Sequence, residues 1–396
     1  MAAAISHPEN LAKPSWNPLR CAGTALPANL LVMAKTIAIA LLLTNHVKLL
    51  PRPFLPFLPW LDRIPGIVFQ DTLRVAFLVS AVALLFNRSV RLSSFLLGMT
   101  MLAGVVASKA YYGNNKTFTG LILVLTGLYE PKRGPWLLRL QLVVVYFGAG
   151  LNKVLDPDWR TGVFFSNWAV NRLHQAAYLY LASFVPSVLL AQIMSWFTIV
   201  TELSLSGIFL VRRLFPLGIW LSILLHSGMV FFTGSTFTMF FYAMTASMLV
   251  FISWPESPLT VIYDGDCGFC TRTKQWFERF DLDGLFHWRT YASEAGIASG
   301  IFAHDAAQRV YLIDGARIYA GFRAFRMLVL YNPISYLLVY ALVASEGRDG
   351  SKLREVTIGL LLLVFSPLFT PIGEAMYRWI ARNRYRLSAQ PTCRVD

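Results

Sequence analysis

Apolar residues run almost uninterrupted for about twenty positions at a time along the first two thirds of the chain, the length a helix needs to cross a bilayer core. Such runs fall at Leu30–Leu49, Phe69–Phe86, Leu92–Tyr112, Trp136–Val154, Leu189–Val211, Leu214–Phe232 and Phe237–Trp254. Thr117–Tyr129 is shorter, a half-helix or a span extended by its neighbours, and with it the pattern predicts about eight. Between the first two runs, Pro51–Trp60 alternates proline with bulky apolar residues, which no straight helix tolerates, so it is expected to lie along the interface.

The texture changes at Pro255, where charged residues return at ordinary soluble density. The order read there is a strand at 259–263, a helix at 268–280, strands at 285–290, 309–313 and 316–320, and a helix at 322–331. The fold class predicted is therefore an α-helical polytopic membrane bundle followed by a small α/β domain. The domains expected are a polar segment at 1–26, the bundle at 27–254, the α/β domain at 255–331 and a final part at 332–396. In that last part Ile334–Ala344, Val356–Ile372 and the basic stretch Tyr377–Arg386 read as membrane-associated helices lying on or dipping into lipid.

Composition agrees with the pattern. Of 396 residues, 56% are hydrophobic and only 14% charged, and the mean hydropathy is +0.54, which excludes an ordinary soluble globular enzyme. The formal charge of +14 is read as loops and tails facing anionic lipid rather than as nucleic-acid binding. No cleaved signal peptide is evident in the polar first 26 residues. With eight spans both termini share a side, which also receives Arg88, Arg91, Lys132, Arg133, Arg212 and Arg213. The positive-inside rule makes that side the cytoplasm, and the expected location is a bacterial inner (plasma) membrane with membrane lipid as a partner.

The sharpest chemical signal is the run from Val261 to Cys270, VIYDGDCGFC, a strand that turns directly into a helix whose first turn carries two sulfurs. A thiol at a helix N-terminus faces unpaired N–H groups and the positive end of the dipole, so its thiolate is stabilised. The second thiol, three residues on, shares that face and is in reach to resolve a mixed disulfide. Cys267 is thus expected to be the nucleophile and Cys270 the resolving thiol. Asp264 and Asp266 oppose thiolate formation, with Arg272 and Lys274 as the offsetting cations. Rival readings are a zinc half-site completed by His287 and His304, a DxD phosphotransfer site at Asp264-Gly265-Asp266, and inert cysteines on a turn. The strand-to-helix setting and the lack of a convincing acidic metal pair favour redox chemistry without a metal.

Tyr263, Asp264, Gly265, Cys267 and Cys270 resemble the YDGxCxxC signature of the DCC family of thiol-disulfide oxidoreductases, and Tyr377–Leu387 is similar to that family's terminal YRxxARNRYRL. The resemblance implies a thioredoxin-like fold and a dithiol site that needs no cofactor, exchanging with a thiol or disulfide partner, protein or small molecule. No proline precedes the strand at Val310, where thioredoxins carry one facing the dithiol, so substrate binding of the ordinary thioredoxin kind is not expected.

Within the spans the richest polar constellation is Gln141, Tyr146, Asn152, Lys153, Asp156, Asp158 and Trp159. On residues alone Lys153 complements a helix C-terminus and snorkels, or else acts as a partly desolvated base. The stretch from Tyr146 to Lys153, with Asp158-Trp159, is similar to the YFxAGxxK…DW motif of HTTM domains, the membrane module related to vitamin K-dependent γ-carboxylase. That resemblance implies a base at Lys153 acting on a quinol, with Gln141, Tyr146, Lys116, Trp159 and His226 about a quinone or lipid pocket. Lys116 stands where the carboxylase carries a histidine, so peptide carboxylation is not expected. His46 and Glu202 are the other ionisable groups in or bordering the spans. The leading expectation is a membrane-anchored thiol-disulfide oxidoreductase. The alternatives are a quinol-linked membrane enzyme and a lipid- or partner-binding bundle with a redox-sensing domain.

Overall fold

The computed structural model describes residues 16–52, 63–172, 176–233, 238–293, 301, 308–345, 362, 364, 366–367 and 369–387. Each predicted apolar run becomes a helix: α1 (Ala28–Leu43), α2 (Gly66–Leu85), α3 (Val90–Ala107), α4 (Asn114–Gly127), α5 (Trp136–Leu155), α6 (Ser187–Ile208), α7 (Phe215–Thr233) and α8 (Thr238–Ser247). Among the described residues five helices are long and apolar enough to cross a membrane, namely α2, α3, α5, α6 and the stretch Arg212–Val230 that includes most of α7. A sixth is reached if the pair Phe322–Leu330 and Pro333–Ala344, bent by 71°, counts as one span. The helices α1, α4 and α8, of 16, 14 and 10 residues, fall short of that length, so the expected eight exceeds what helix length supports. The Pro51–Trp60 segment and His304 fall largely or wholly outside the described residues, as does most of Val356–Ile372.

The helix α1 is the axis of the bundle, buried on nearly every side from Asn29 to Leu41. It carries a buried lysine that periodicity did not single out: Lys35 Nζ donates to the carbonyls of Pro18 (2.6 Å) and Arg20 (2.8 Å). Burying an ammonium is costly unless its donors are satisfied, and here the N-terminal segment supplies the acceptors. That segment is held on its other sides by Asn87, which donates to the carbonyls of Asn17 and Arg20, and by Asp283, whose carboxylate accepts from the Cys21 and Ala22 N–H groups. Because Asp283 belongs to the α/β domain, residues 16–26 fasten that domain to one end of the bundle.

The α/β domain follows the predicted order with boundaries shifted by one or two residues: β1 (Leu259–Tyr263), α9 (Gly268–Phe280), β2 (Phe286–Thr290), β3 (Tyr311–Asp314), β4 (Arg317–Ala320) and α10 (Phe322–Leu330). The four strands form one mixed sheet in the order β2-β1-β3-β4, with β1 parallel to β2 and antiparallel to β3. The central strand β1 is buried at Leu259, Val261, Ile262 and Tyr263, and with Phe277 of α9, Leu312 of β3 and Leu328 of α10 it makes the domain's core.

The two C-terminal helices pack on different parts of the protein. The helix α11 (Pro333–Ser345) packs along α1 inside the bundle: Tyr336, Leu337, Tyr340 and Val343 are buried, and the Tyr340 hydroxyl donates to Thr245 Oγ1 at 2.7 Å. The helix α12 (Thr370–Leu387), which contains the basic stretch, folds back onto the α/β domain against α9 and α10. A Cβ on Gly373 would run into the Phe322 ring, so glycine suits this close crossing. One of the arginines read as facing headgroups, Arg384, is buried and paired within the protein. Charge density along the sequence does not distinguish a lipid-facing arginine from one that pairs with a buried carboxylate.

Candidate active site

The site begins where β1 ends. Asp264 Oδ1 accepts from the Asp266 N–H (3.1 Å), which fixes the turn, and Gly265 passes so close to Thr290 that a Cβ there would lie 2.6 Å from Cγ2. Cys267, extended at φ −91°, ψ 113°, is the N-cap of α9, and its carbonyl accepts from the Thr271 N–H at 2.9 Å. Cys270 lies one turn on. Tyr291 donates its hydroxyl to Asp266 at 2.9 Å, holding the outer carboxylate away from the sulfurs.

The other wall comes from α12, more than a hundred residues later. Arg384 is buried and bridges two groups: Nη2 lies 3.0 Å from Asp264 Oδ2 and Nη1 donates to Cys270 Sγ at 3.3 Å. Tyr377 accepts at its hydroxyl from the Val310 N–H (2.9 Å). The cations expected beside the dithiol are engaged elsewhere: Lys274 pairs with Glu278 at 3.2 Å, and Arg272 Nε donates to the Gly268 carbonyl. The only sequence signal for Arg384 and Tyr377 was the terminal YRxxARNRYRL stretch, and neither was singled out as a site residue.

These contacts set the thiol chemistry. The S–H of Cys270 donates to the Cys267 sulfur, the N–H groups of Cys270 and Phe269 point at it, and Arg384 adds positive charge. Against the cost of burial these pull the Cys267 thiol down to about 6. Cys270, sharing its proton with that thiolate, buried and facing its charge, is pushed well above the ordinary thiol value, with Arg384 acting in the opposite direction. Burial pushes the Tyr377 phenol up to about 12.

Access divides the two sulfurs. Cys267 is 0% exposed, whereas Cys270 is partly open. Cys270 lines a cavity of about 390 Å³ between the sheet, α9, α10 and α12, whose wall includes Asp264, Tyr377 and Arg384 but not Cys267. The structure therefore brings Asp264, Cys267 and Cys270 together as expected and adds Arg384 and Tyr377. Among the described residues no three His, Cys, Asp or Glu side chains converge as metal ligands.

The bundle residues gather elsewhere and in two groups. Lys153 Nζ donates to both oxygens of Glu202 (2.7 and 2.8 Å) and stands 5.0 Å from the centre of the Trp159 ring. The Tyr146 hydroxyl meets Ser222 Oγ at 2.6 Å and His226 Nε2 at 2.9 Å. Gln141 and Lys116 are not part of either group: Gln141 Nε2 reaches the Phe118 carbonyl at 3.4 Å, and Lys116 Nζ donates to the Tyr111 carbonyl at 2.7 Å. His46 Nδ1 meets Thr44 Oγ1 at 2.8 Å. Lys153 is also remote from the dithiol. The start of α5 lies at the α/β domain's end of the bundle, where Arg139 bonds the Val250 carbonyl, and Lys153 follows about 20 Å further along the helix.

Comparison with known families identifies two stretches of the chain. Residues 129–255 match the HTTM domain, and residues 261–349 match the DCC1-like thiol-disulfide oxidoreductase. The chain thus carries an HTTM domain followed by a DCC1-like domain, with α12 and its Arg384 beyond the second match. No curated protein and no solved structure matches it.

Two outcomes follow from the ion contacts. With Cys21 and Cys393 changed to Ser, ultraviolet thiolate absorbance is expected to show one thiolate appearing above about pH 6 and lost below it; Arg384→Gln moves that midpoint upward, toward the ordinary 9.0. An identical midpoint in both proteins contradicts the electrostatic role of Arg384. In the bundle, Lys153→Met strands the buried Glu202 carboxylate and is expected to cost about 3–5 kcal/mol in denaturant unfolding of the detergent-solubilised chain, most of it recovered by adding Glu202→Leu. Equal losses in the single and double variants contradict the pairing.

Proposed function

We propose that this chain is a membrane-embedded thiol-disulfide oxidoreductase, with a thioredoxin-like domain whose exchanging sulfurs are Cys267 and Cys270. The observation that carries the reading is the dithiol itself: a thiol held at about 6 on a helix N-terminus, hydrogen-bonded to a second thiol that faces a cavity and a buried guanidinium. The strand order β2-β1-β3-β4, with α9 between the parallel pair, supports the thioredoxin-like assignment.

The roles of the sulfurs follow from access and acidity together, and they reverse the assignment expected from spacing. A partner in the cavity meets Cys270. In the reducing direction the shared proton passes to Cys267, the Cys270 thiolate beside Arg384 attacks the partner disulfide, and one partner thiolate leaves. Cys267 then loses its proton, attacks the Cys270 sulfur of the mixed disulfide and expels the second partner thiolate, leaving Cys267–Cys270 oxidised. In the opposite direction an incoming thiolate attacks Cys270, and Cys267 departs as the better leaving group because its thiol is the more acidic. Asp264 holds Arg384 in place and is a positioning residue.

Lipid is the proposed solvent for the bundle. The helices α2 and α5 point apolar side chains such as Val75, Val79, Val144 and Phe147 outward, which water does not favour and hydrocarbon does. The end of the bundle that holds the α/β domain also carries basic loops, with Arg88 stacked on Trp16 and Arg212 beside Arg139. By the positive-inside rule that end faces the cytoplasm. We infer that Lys153, engaged by Glu202 and remote from the dithiol, holds α5 to α6 rather than serving as a base in this reaction.

The test is trapping. Exposed to a small aromatic disulfide, Cys267→Ser is expected to accumulate an adduct on Cys270, read by mass spectrometry, whereas Cys270→Ser accumulates none. The opposite pattern restores the role assignment expected from spacing. No adduct on either folded variant overturns the oxidoreductase reading.

A further inference from the structure

The cavity beside Cys270 is built for a particular kind of partner. Its volume of about 390 Å³ falls in the range of small-molecule sites, roughly 300–1,000 Å³. Its walls are mainly apolar, formed by Phe269, Trp288, Phe322, Phe325, Leu328 and Met376; the charged groups at the sulfur, Asp264 and Arg384, are paired with each other at 3.0 Å, and a further charge, the exposed Arg309, belongs to the lining. A polar ligand seated among these rings beside the sulfur would lose water against mostly apolar walls, whereas an apolar one loses nothing.

The backbone beside the sulfur is equally closed to a peptide. A peptide substrate docks beside a dithiol by pairing its main chain with an open N–H or C=O of the adjoining strand or loop. Val310, which lines the cavity where the chain enters β3, has neither to offer. Its N–H donates to the Tyr377 hydroxyl at 2.9 Å, and its carbonyl accepts from the Gly321 N–H at 2.9 Å. The α12 helix thus stands where a peptide would need to lie, and leaves behind it a pocket instead of a groove.

Resting on the dithiol reading above, we propose that the partner of this site is an apolar, non-peptide disulfide or its dithiol or thiol form, bound in the cavity with one sulfur against Cys270. In the reducing direction the balance is one dithiol plus one small disulfide giving the Cys267–Cys270 disulfide and two small thiols, with no further oxidant or reductant. Met376, on the exposed side of the wall, and Phe325 set specificity by excluding water from the partner's hydrocarbon.

The experiment mixes the reduced full chain, with Cys21 and Cys393 changed to Ser, in detergent with dibenzyl disulfide, glutathione disulfide or insulin. Each rate is divided by that of dithiothreitol under the same conditions. The normalised rate with dibenzyl disulfide is expected to exceed the other two by at least 10-fold, and Met376→Glu is expected to cut that preference by about 10-fold. As a second measurement that needs no variant, 1,2-diphenylethane, which has the same shape but no sulfur, is expected to slow alkylation of Cys270 by iodoacetamide. Preference for glutathione disulfide or insulin, or failure of 1,2-diphenylethane to protect Cys270, overturns the apolar-partner proposal and leaves the dithiol reading standing. No reaction with any of the three overturns both.

Discussion

A single guanidinium joins the parts of this site. Arg384 sits on the last described helix, buried between the carboxylate at the end of β1 and the sulfur one turn into α9. A buried charge is tolerated only where its donors are used, and removing one partner of such a pair commonly costs about 3–5 kcal/mol. Arg384 spends one nitrogen on Asp264 and another on Cys270. The seating of α12 and the closing of the cavity are consequences of that one placement, and the guanidinium adds to the acidity that Cys270 and the backbone N–H groups give Cys267. Gly373 and Tyr377 make it reachable, the first by letting α12 approach Phe322 and the second by tying the helix to Val310.

A second buried cation organises the whole chain. Lys35, inside the most enclosed helix of the bundle, obtains its acceptors from a stretch of chain before that helix, and the same stretch is gripped by Asp283 of the α/β domain. The redox domain is thereby held to one end of the bundle by polar contacts, while α11 holds it by apolar ones. The geometry separates the two polar centres of the molecule. The Lys153–Glu202 pair lies toward the far end of α5, and no exchange by sulfur contact spans that distance.

What was legible in the sequence was local. The strand, turn and helix around VIYDGDCGFC followed from residue type and spacing, and the four strands fell where turn residues and alternation put them. The apolar runs became helices. What was illegible was long-range pairing. Neither Lys35 within an apolar run nor Arg384 among the three other arginines of Tyr377–Arg386 carries a mark of its buried partner. The protein contacts of the C-terminal helices were not legible either, because basic and apolar patches look alike in sequence whether they meet lipid or protein. The span count is not settled by hydropathy for a related reason: α1, α4 and α8 are apolar and largely enclosed by other helices, and enclosure in protein demands no particular length. The proposed order of the sulfurs rests on the position of α12, which the CxxC spacing does not contain.

The claim on which all of this rests is that Cys267 and Cys270 exchange electrons as one unit. Its most direct test is a redox titration of the full chain, with Cys21 and Cys393 changed to Ser, across glutathione buffers and read as free thiols per chain. The account predicts that two thiols disappear together in one two-electron step, giving an intramolecular disulfide with no glutathione retained. Thiols that stay reduced across the whole range, or a glutathione that remains on one sulfur at equilibrium, would contradict it.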